Sequence, residues 1–263
     1  MSDRDTRCIS ITREAAVRLA ADVRDIMRNP LTNDSIYYEH DESDMLKGYA
    51  MIVGPKDTPY SGGFYLFSFQ FPPDYPTRPP VVTYCTNDGI TRFNPNLYKG
   101  GKVCISILNT WKGEGWTGSM TLRAILVTLQ TLLNDKPLLN EPGIRSSHED
   151  YDSYHKIVEF KNWDWAINEM LREGGIALLP VFMMFKEIMK QEFVRWFPLH
   201  ERKLSELEVQ NAKWRSDHDG SRQELRTTIY GGMHCTLLYD VMLEKLQALH
   251  KTLKDKTKLK VKT

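Results

Sequence analysis

RFNPNLYKGGKVCISIL, residues 92–108, is the stretch of this chain that most directly predicts its fold and chemistry. An Asn94-Pro95-Asn96 turn stands eight residues before Cys104, which lies in an apolar run. Pro95 stiffens the turn that presents Asn96 and disfavours helix at Asn94. The arrangement places a sulfur nucleophile near an amide donor, which is the minimum equipment for acyl transfer through a thioester.

Two purely structural explanations of these residues stay open at this point. A lone cysteine in an apolar run is more often a small buried hydrophobe, and Asn96 can simply hold its loop by side-chain to backbone hydrogen bonds. No histidine lies between His40 and His148, which argues against a Cys-His protease. A thiol needs little activation to attack an existing thioester, so the hypothesis requires only that the Cys104 thiol is reachable.

Other motifs occur around this stretch in a fixed order. They are GPKDTPYSGG at residues 54–63, FPPDYPTRPP at residues 71–80, Trp116, and an apolar run at residues 122–133. Together these motifs resemble ubiquitin-conjugating enzymes, whose signature is His-Pro-Asn with the catalytic cysteine eight residues after the Asn. Asn94 stands here in place of that His. The resemblance covers about residues 11–165 and is strongest to the larger Z-type enzymes, which carry a C-terminal extension.

The resemblance implies roles for the residues of the loop. Cys104 would accept ubiquitin or a ubiquitin-like modifier as a thioester and pass it to a lysine amine. Asn96 would donate to the transition-state oxyanion, and Asn94 would keep a local structural hydrogen bond. Glu141 would orient the incoming amine, although a surface glutamate without a role is an equal alternative. Asn140 would shape the channel through which this amine approaches.

The resemblance also implies an activating enzyme and a ligase as partners, and no bound cofactor, since the activating enzyme consumes the ATP. Arg13 and Arg18 on the first helix would dock these partners, unless they only form a solvated face. Thr77 and Gly118 replace residues common at the ligase-facing loops, so the resemblance does not extend to standard RING-type pairing. Trp111, in the insert at residues 109–117, is either packed or in contact with the modifier or ligase.

Two rival functions belong to other classes. One is a non-catalytic module of the same fold that only holds ubiquitin. The other is a helical scaffold in which the C-terminal half carries the main role. A cysteine at position 104 argues against the first, because inactive relatives typically lack it. No phosphate loop, zinc-protease motif or dinucleotide fingerprint is present to suggest another chemistry.

Composition is ordinary for a soluble globular protein. Of 263 residues, 41% are hydrophobic and 26% charged, and the formal net charge is +1. This charge predicts no general attraction to nucleic acid or membrane. The four scattered cysteines and seven scattered histidines favour neither disulfides nor a metal site. The polar N-terminus lacks a signal sequence, so we expect a protein of the cytoplasm, with the nucleus as a further location.

The hydrophobic pattern predicts an α+β fold. An amphipathic helix is expected over residues 11–27, strands over residues 48–53, 64–71 and 81–84, and an apolar helix over residues 122–133. The resemblance completes this as a UBC fold: an N-terminal helix, a four-stranded antiparallel meander, an active-site loop and helices. The catalytic core domain is expected to span residues 8–165.

After residue 148 helical patterns dominate, which predicts a helical extension over residues 166–253. One apolar stripe contains Phe182, Phe185, Met189, Phe193 and Trp196, and a second contains Leu238, Met242, Leu246, Leu249 and Leu253. We expect Pro198 to end the first helix. Residues 251–263 contain six Lys and one Asp, so residues 254–263 are expected to form a disordered or frayed basic tail.

Overall fold

The computed structural model describes residues 11–175 and 177–260, with side chains up to residue 255. The chain begins with α1 (Arg13–Arg28), which is capped by Thr12, whose hydroxyl accepts a hydrogen bond from Ala15 N at 3.1 Å. Leu19 and Ile26 are buried on this helix as the periodicity predicts, and the structure thereby confirms the first helix.

Four strands form one antiparallel sheet in chain order, which confirms the meander. They are β1 (Ile36–His40), β2 (Lys47–Val53), β3 (Phe64–Gln70) and β4 (Val81–Tyr84). The apolar pattern predicts the last three but not β1, because β1 is only partly buried and carries Glu39 and His40. The Pro-Pro pair before β4 is tolerated because β4 is an edge strand.

The segment between β4 and the next helix, residues 85–121, is mostly irregular and contains the candidate loop. It ends at Thr121, which caps α2 (Leu122–Thr131) by accepting a hydrogen bond from Ala124 N at 3.2 Å. The buried face of α2 consists of Leu122, Ile125, Leu126 and Leu129, as predicted. A helix with so regular an apolar face is stabilised mainly by packing on the core.

The rest of the chain is largely helical. It contains α3 (Tyr151–Lys161), a π-helix (Asn162–Glu169), a 3₁₀ turn (Pro180–Phe185), α4 (Lys186–Ser216), a hairpin of β5 (Glu224–Arg226) and β6 (His234–Thr236), and α5 (Tyr239–Lys260). α4 and α5 run antiparallel, since Asn211 Nδ2 donates to Leu237 O at 3.1 Å and Gln247 Nε2 donates to Glu201 Oε1 at 3.0 Å. No helix within the described ranges is long and apolar enough to cross a membrane.

The extension packs directly on the sheet. In the strand register Tyr37 pairs with Met51, so Tyr37 and Tyr49 point to the same face. The Tyr49 ring meets the Phe182 ring edge-on at 5.6 Å, and the Tyr37 hydroxyl donates to Glu192 Oε1 at 2.9 Å. One hydrophobic core therefore joins the sheet and the extension.

Two expectations for the extension are wrong. Pro198 lies inside α4 instead of ending it. Proline removes one helical hydrogen bond, but Phe193 and Phe197 before it are buried, and Phe197 stacks on His250 of α5 at 3.7 Å. Packing on α5 thus outweighs the local cost. The basic tail is helical as far as residue 260, because α5 continues through residue 254; residues 261–263 lie outside the described residues.

Candidate active site

Asn94 is completely buried and fixes the turn that precedes the cysteine. Its Nδ2 donates to the Tyr60 hydroxyl at 3.0 Å and to Leu132 O at 2.7 Å, while its Oδ1 accepts from Asn96 N at 2.9 Å. Three hydrogen bonds in a buried setting hold the side chain in one orientation. These are the local structural bonds that the resemblance implies for this position. Pro95, the middle residue of the turn, is buried beside it.

Asn96 and Cys104 are linked by two hydrogen bonds, and each residue donates one of them. Cys104 N donates to Asn96 O at 2.8 Å, and Asn96 Nδ2 donates to Cys104 O at 2.7 Å. The structure therefore places the Asn96 carboxamide against the peptide unit of the cysteine, eight residues further along the chain. In this arrangement Asn96 holds the loop, and its amide nitrogen keeps a second hydrogen.

Cys104 itself is only 2% exposed. The expectation of a directly reachable thiol is therefore wrong for this conformation: the apolar run around the cysteine packs into the core, with Val103 and Ile105 also buried. Burial disfavours the thiolate at two other described cysteines, because it raises the pKa of the Cys85 thiol and raises that of Cys235 to about 11. Cys8 lies outside the described residues.

The insert at residues 109–117 folds back beside the cysteine. The Thr110 hydroxyl accepts from Ile105 N at 3.0 Å, and Gly113 approaches Ser106 so closely that a Cβ on Gly113 would lie 3.0 Å from the Ser106 Cβ. Trp116 is an anchor, since its Nε1 donates to Pro76 O at 2.7 Å. Trp111 is 43% exposed, which leaves it available for contacts.

Asn140 and Glu141 approach the same turn from the segment after α2. Leu132 O accepts from Asn94 and also from Asn140 Nδ2, at 3.3 Å, so one carbonyl links the two asparagines. Glu141 is half-buried, and its Oε2 accepts a hydrogen bond from the Tyr230 hydroxyl at 2.7 Å. The sequence interpretation missed Tyr230; the signal available was the Gly231-Gly232 pair that directly follows it, since two glycines favour a break between helical patterns.

Arg92 is a second residue that the interpretation missed. It is 8% exposed, its Nε donates to Asn94 O at 3.1 Å, and its Nη2 donates to Pro95 O at 2.7 Å. The Arg92 guanidinium lies over the Tyr98 ring at 3.3 Å from the centroid. A buried cation paired with carbonyls and an aromatic face is well satisfied. Its position directly before the motif was the available signal.

The predicted docking residues fall into two places. Arg18 donates to Gly118 O at 2.6 Å and Met120 O at 2.5 Å, and Gly118 lies beside Pro76, next to the exposed Thr77. Arg18, Thr77 and Gly118 thus share one end of the molecule. Arg13 is exposed on the first turn of α1. None of the four lies on the loop that carries the cysteine.

A helix, a four-stranded meander, and a turn tied to a cysteine eight residues later define the class of UBC-fold proteins. A family model described as ubiquitin-conjugating enzyme matches residues 18–162. The chain belongs to this family. Membership places it among enzymes, in the transferase class.

Several relatives are similar over most of this chain. Ubiquitin-conjugating enzyme E2 Z of Xenopus tropicalis is 32% identical over 249 residues, which cover 92% of this chain and 73% of the relative. The Homo sapiens protein of the same name is 36% identical over 191 residues, covering 72% of this chain and 52% of the relative. The chain thus spans about half the length of that human relative. The structure of human ubiquitin-conjugating enzyme E2 G1 is 29% identical with a TM-score of 0.42, covering 47% of this chain and 98% of that one.

Proposed function

We propose that this chain accepts ubiquitin or a ubiquitin-like modifier from an activating enzyme as a thioester on Cys104 and transfers it to a lysine amine, with a ligase directing the transfer. The observation that carries this proposal is the reciprocal hydrogen bonding between Asn96 and Cys104, at 2.8 and 2.7 Å. Of the two asparagine side chains in the turn, that of Asn96 bonds the cysteine. Its amide binds the carbonyl oxygen of Cys104, so it lies close to the candidate nucleophile.

The transfer balances without a further reactant. The neutral lysine nitrogen attacks the thioester carbonyl, the N–C bond forms, and negative charge builds on the carbonyl oxygen. The C–S bond then breaks and Cys104 leaves as a thiolate. The proton lost by the amine passes to the Glu141 carboxylate or to water, and the thiolate is protonated in turn. The product is an isopeptide bond and a regenerated thiol.

Asn96 is the proposed donor to the developing oxyanion. One hydrogen of its Nδ2 already binds Cys104 O, so the second is the one available for the tetrahedral intermediate. A single such donor contributes about 3–4 kcal/mol to a transition state. Loop holding and oxyanion stabilisation are compatible, because each uses a different hydrogen of the same nitrogen.

Charging requires that the segments beside Cys104 move, since the residue is only 2% exposed. The insert at residues 109–117 is the proposed mobile part. Its tip is exposed at Gly113, whereas on the other side of the cysteine Asn94 is buried and its side chain makes three hydrogen bonds. Opening on the insert side would expose the sulfur without disturbing the turn.

The test incubates the chain with activating enzyme, ATP and ubiquitin. We expect a slower-migrating band that disappears on reduction, that is absent in Cys104→Ala and that persists in the control Cys85→Ala. Charging should be repeated with several activating enzymes and modifiers. No reducible band in any combination would refute the proposal and favour a module that binds ubiquitin without chemistry.

The identity of the activating enzyme and of the modifier is tested by varying the two independently in these charging reactions. The cytoplasm, with the nucleus as a second location, is the proposed site of action. A fluorescent fusion of the chain that is confined to the secretory pathway or to mitochondria would contradict this placement.

A further inference from the structure

The loop of the C-terminal hairpin, residues 227–233, is bound by the buried carboxylate of Asp150. Asp150, at the start of α3, is 4% exposed and accepts hydrogen bonds from Thr228 N at 2.9 Å, Thr228 Oγ1 at 2.8 Å and Ile229 N at 2.9 Å. Burial alone would raise the pKa of Asp150, but these bonds outweigh it and lower the pKa. The loop is therefore held in place by an ionised group.

This attachment positions Tyr230 with an unusual backbone. Tyr230 has φ of 60°, in the left-handed region, which is unfavourable for a residue other than glycine. The carbonyl of Tyr230 accepts from Lys99 Nζ at 3.1 Å. Strained residues persist where their surroundings determine them, and they cluster at functional sites. The strain here directs the phenol toward the segment after α2.

The phenol reaches the residue to which an amine-orienting role has been assigned. Tyr230 Oη donates to Glu141 Oε2 at 2.7 Å, which leaves Oε1 for another partner. Burial, and then the Glu141 carboxylate, raise the pKa of Tyr230, so the phenol stays protonated and remains a donor at neutral pH. A charge-assisted bond of this length fixes the rotamer of the carboxylate.

The ring of Tyr230 reaches the other side of the site. Its centroid lies 5.1 Å from the Arg92 guanidinium, which donates to the carbonyls of Asn94 and Pro95. Arg92 N also contacts Met233 Sδ at 3.1 Å, so the same loop contacts Arg92 twice. One residue of the extension thus contacts both the carboxylate of Glu141 and Arg92, the residue that bonds the turn presenting Asn96.

We propose that Tyr230 is a positioning residue of the transfer step, and that the C-terminal extension is a component of the active site in this protein. The phenol fixes Oε2 of Glu141 so that Oε1 faces the incoming lysine amine. The proposal rests on the proposed function. It predicts an effect on transfer to lysine and none on loading of the cysteine, because loading does not use an acceptor amine.

The experiment uses the full chain charged with ubiquitin, followed by removal of ATP and addition of an amine. Tyr230→Phe removes one oxygen atom. We expect Tyr230→Phe to charge as the wild type does, to discharge to free lysine about tenfold more slowly, and to discharge to hydroxylamine at the wild-type rate. Orientation effects of this size are ordinary for a displaced catalytic group. Hydroxylamine is largely neutral and strongly nucleophilic, so it needs no carboxylate.

Two comparisons separate positioning from a general structural effect. In a Glu141→Ala background, Tyr230→Phe should change lysine discharge less than twofold, because its target is already absent. Tyr37→Phe is the matched control: it removes the phenol–carboxylate bond to Glu192, which also joins core and extension, and it should leave lysine discharge unchanged.

The outcomes are distinct. A wild-type chain that never charges refutes the proposed function and this proposal with it. A charged Tyr230→Phe enzyme that discharges to lysine at or above the wild-type rate overturns this proposal alone. So does an equal loss with hydroxylamine, or a loss that persists in the Glu141→Ala background.

Discussion

His200 makes the docking of the extension sensitive to acid. It lies on α4, is 3% exposed, and its Nδ1 accepts a hydrogen bond from Trp163 Nε1 at 3.2 Å. Its ring fills the space above Gly62 of the loop before β3, where a Cβ would lie 2.6 Å from His200 Nε2. Burial lowers the pKa of His200 from 6.5 to about 4. The imidazole is therefore neutral in the folded protein at pH 5, where the unfolded chain would bind a proton.

The size of the change in unfolding free energy follows from the linkage between proton binding and folding. A depressed pKa means that the contribution of His200 is fully present above pH 6.5 and is lost as the pH falls from 6.5 toward 4. Between pH 7 and pH 5 the free energy of unfolding should fall by about 2 kcal/mol on this account, and by about 3 kcal/mol at pH 4. This is a sizeable fraction of the stability of a typical domain.

The assay is urea unfolding at pH 7 and pH 5 for wild type and His200→Asn, in which Asn Oδ1 can accept from Trp163. The variant is less stable at pH 7, but the wild type should lose about 2 kcal/mol more than the variant on acidification. The exposed His218→Asn is the control and should follow the wild type. Equal losses for wild type and His200→Asn would refute the burial of this ring and, with it, the packing of α4 on the core.

Four other substitutions test separate parts of the structure. Asn94→Ala removes three buried hydrogen bonds and should lower the free energy of unfolding by about 3 kcal/mol in urea titrations. Asp150→Asn weakens the charge-assisted bonds to the hairpin loop, so amide hydrogen exchange at Thr228 and Ile229 should accelerate at least tenfold. Pro198→Ala restores a helical N–H donor inside α4 and should raise the free energy of unfolding by about 1–3 kcal/mol in thermal melts. Trp111→Ala should change the unfolding free energy by less than about 0.5 kcal/mol, because the side chain is exposed.

The first three of these substitutions have matched controls in the chain. Asn33→Ala and Asp152→Asn alter exposed residues and should leave stability and exchange unchanged. Val209→Ala changes an exposed position of the same helix as Pro198. A Pro198→Ala variant no more stable than Val209→Ala would show that α4 has adapted fully to its proline. A Trp111→Ala loss of more than 1 kcal/mol would mean that the insert is anchored at both tryptophans.

Much of the core was predictable because its signals are local. The apolar faces of α1 and α2 repeat at the helical period, and β3 is an almost continuous apolar run, so the short-range pattern identifies each element. The apolar pattern did not predict β1, because the burial of this strand comes from its neighbour β2 and not from its own composition. The prediction that Pro198 ends a helix was wrong, because a local rule for ending helices ignores the packing that a second helix supplies.

For the candidate site the sequence alone determined the spacing of Asn94, Asn96 and Cys104, and isolated bridges from Asn94 to Leu97 and from Leu97 to Val103 bring Asn96 and Cys104 together over this short segment. Only the tertiary structure decided how reachable the thiol is, which depends on the packing of segments distant in sequence. It also decided that Tyr230 meets Glu141, which lies 89 positions earlier in the sequence. No local pattern encodes a contact of that separation, because it exists only once α3, α4 and α5 have packed and fixed where the hairpin loop lies.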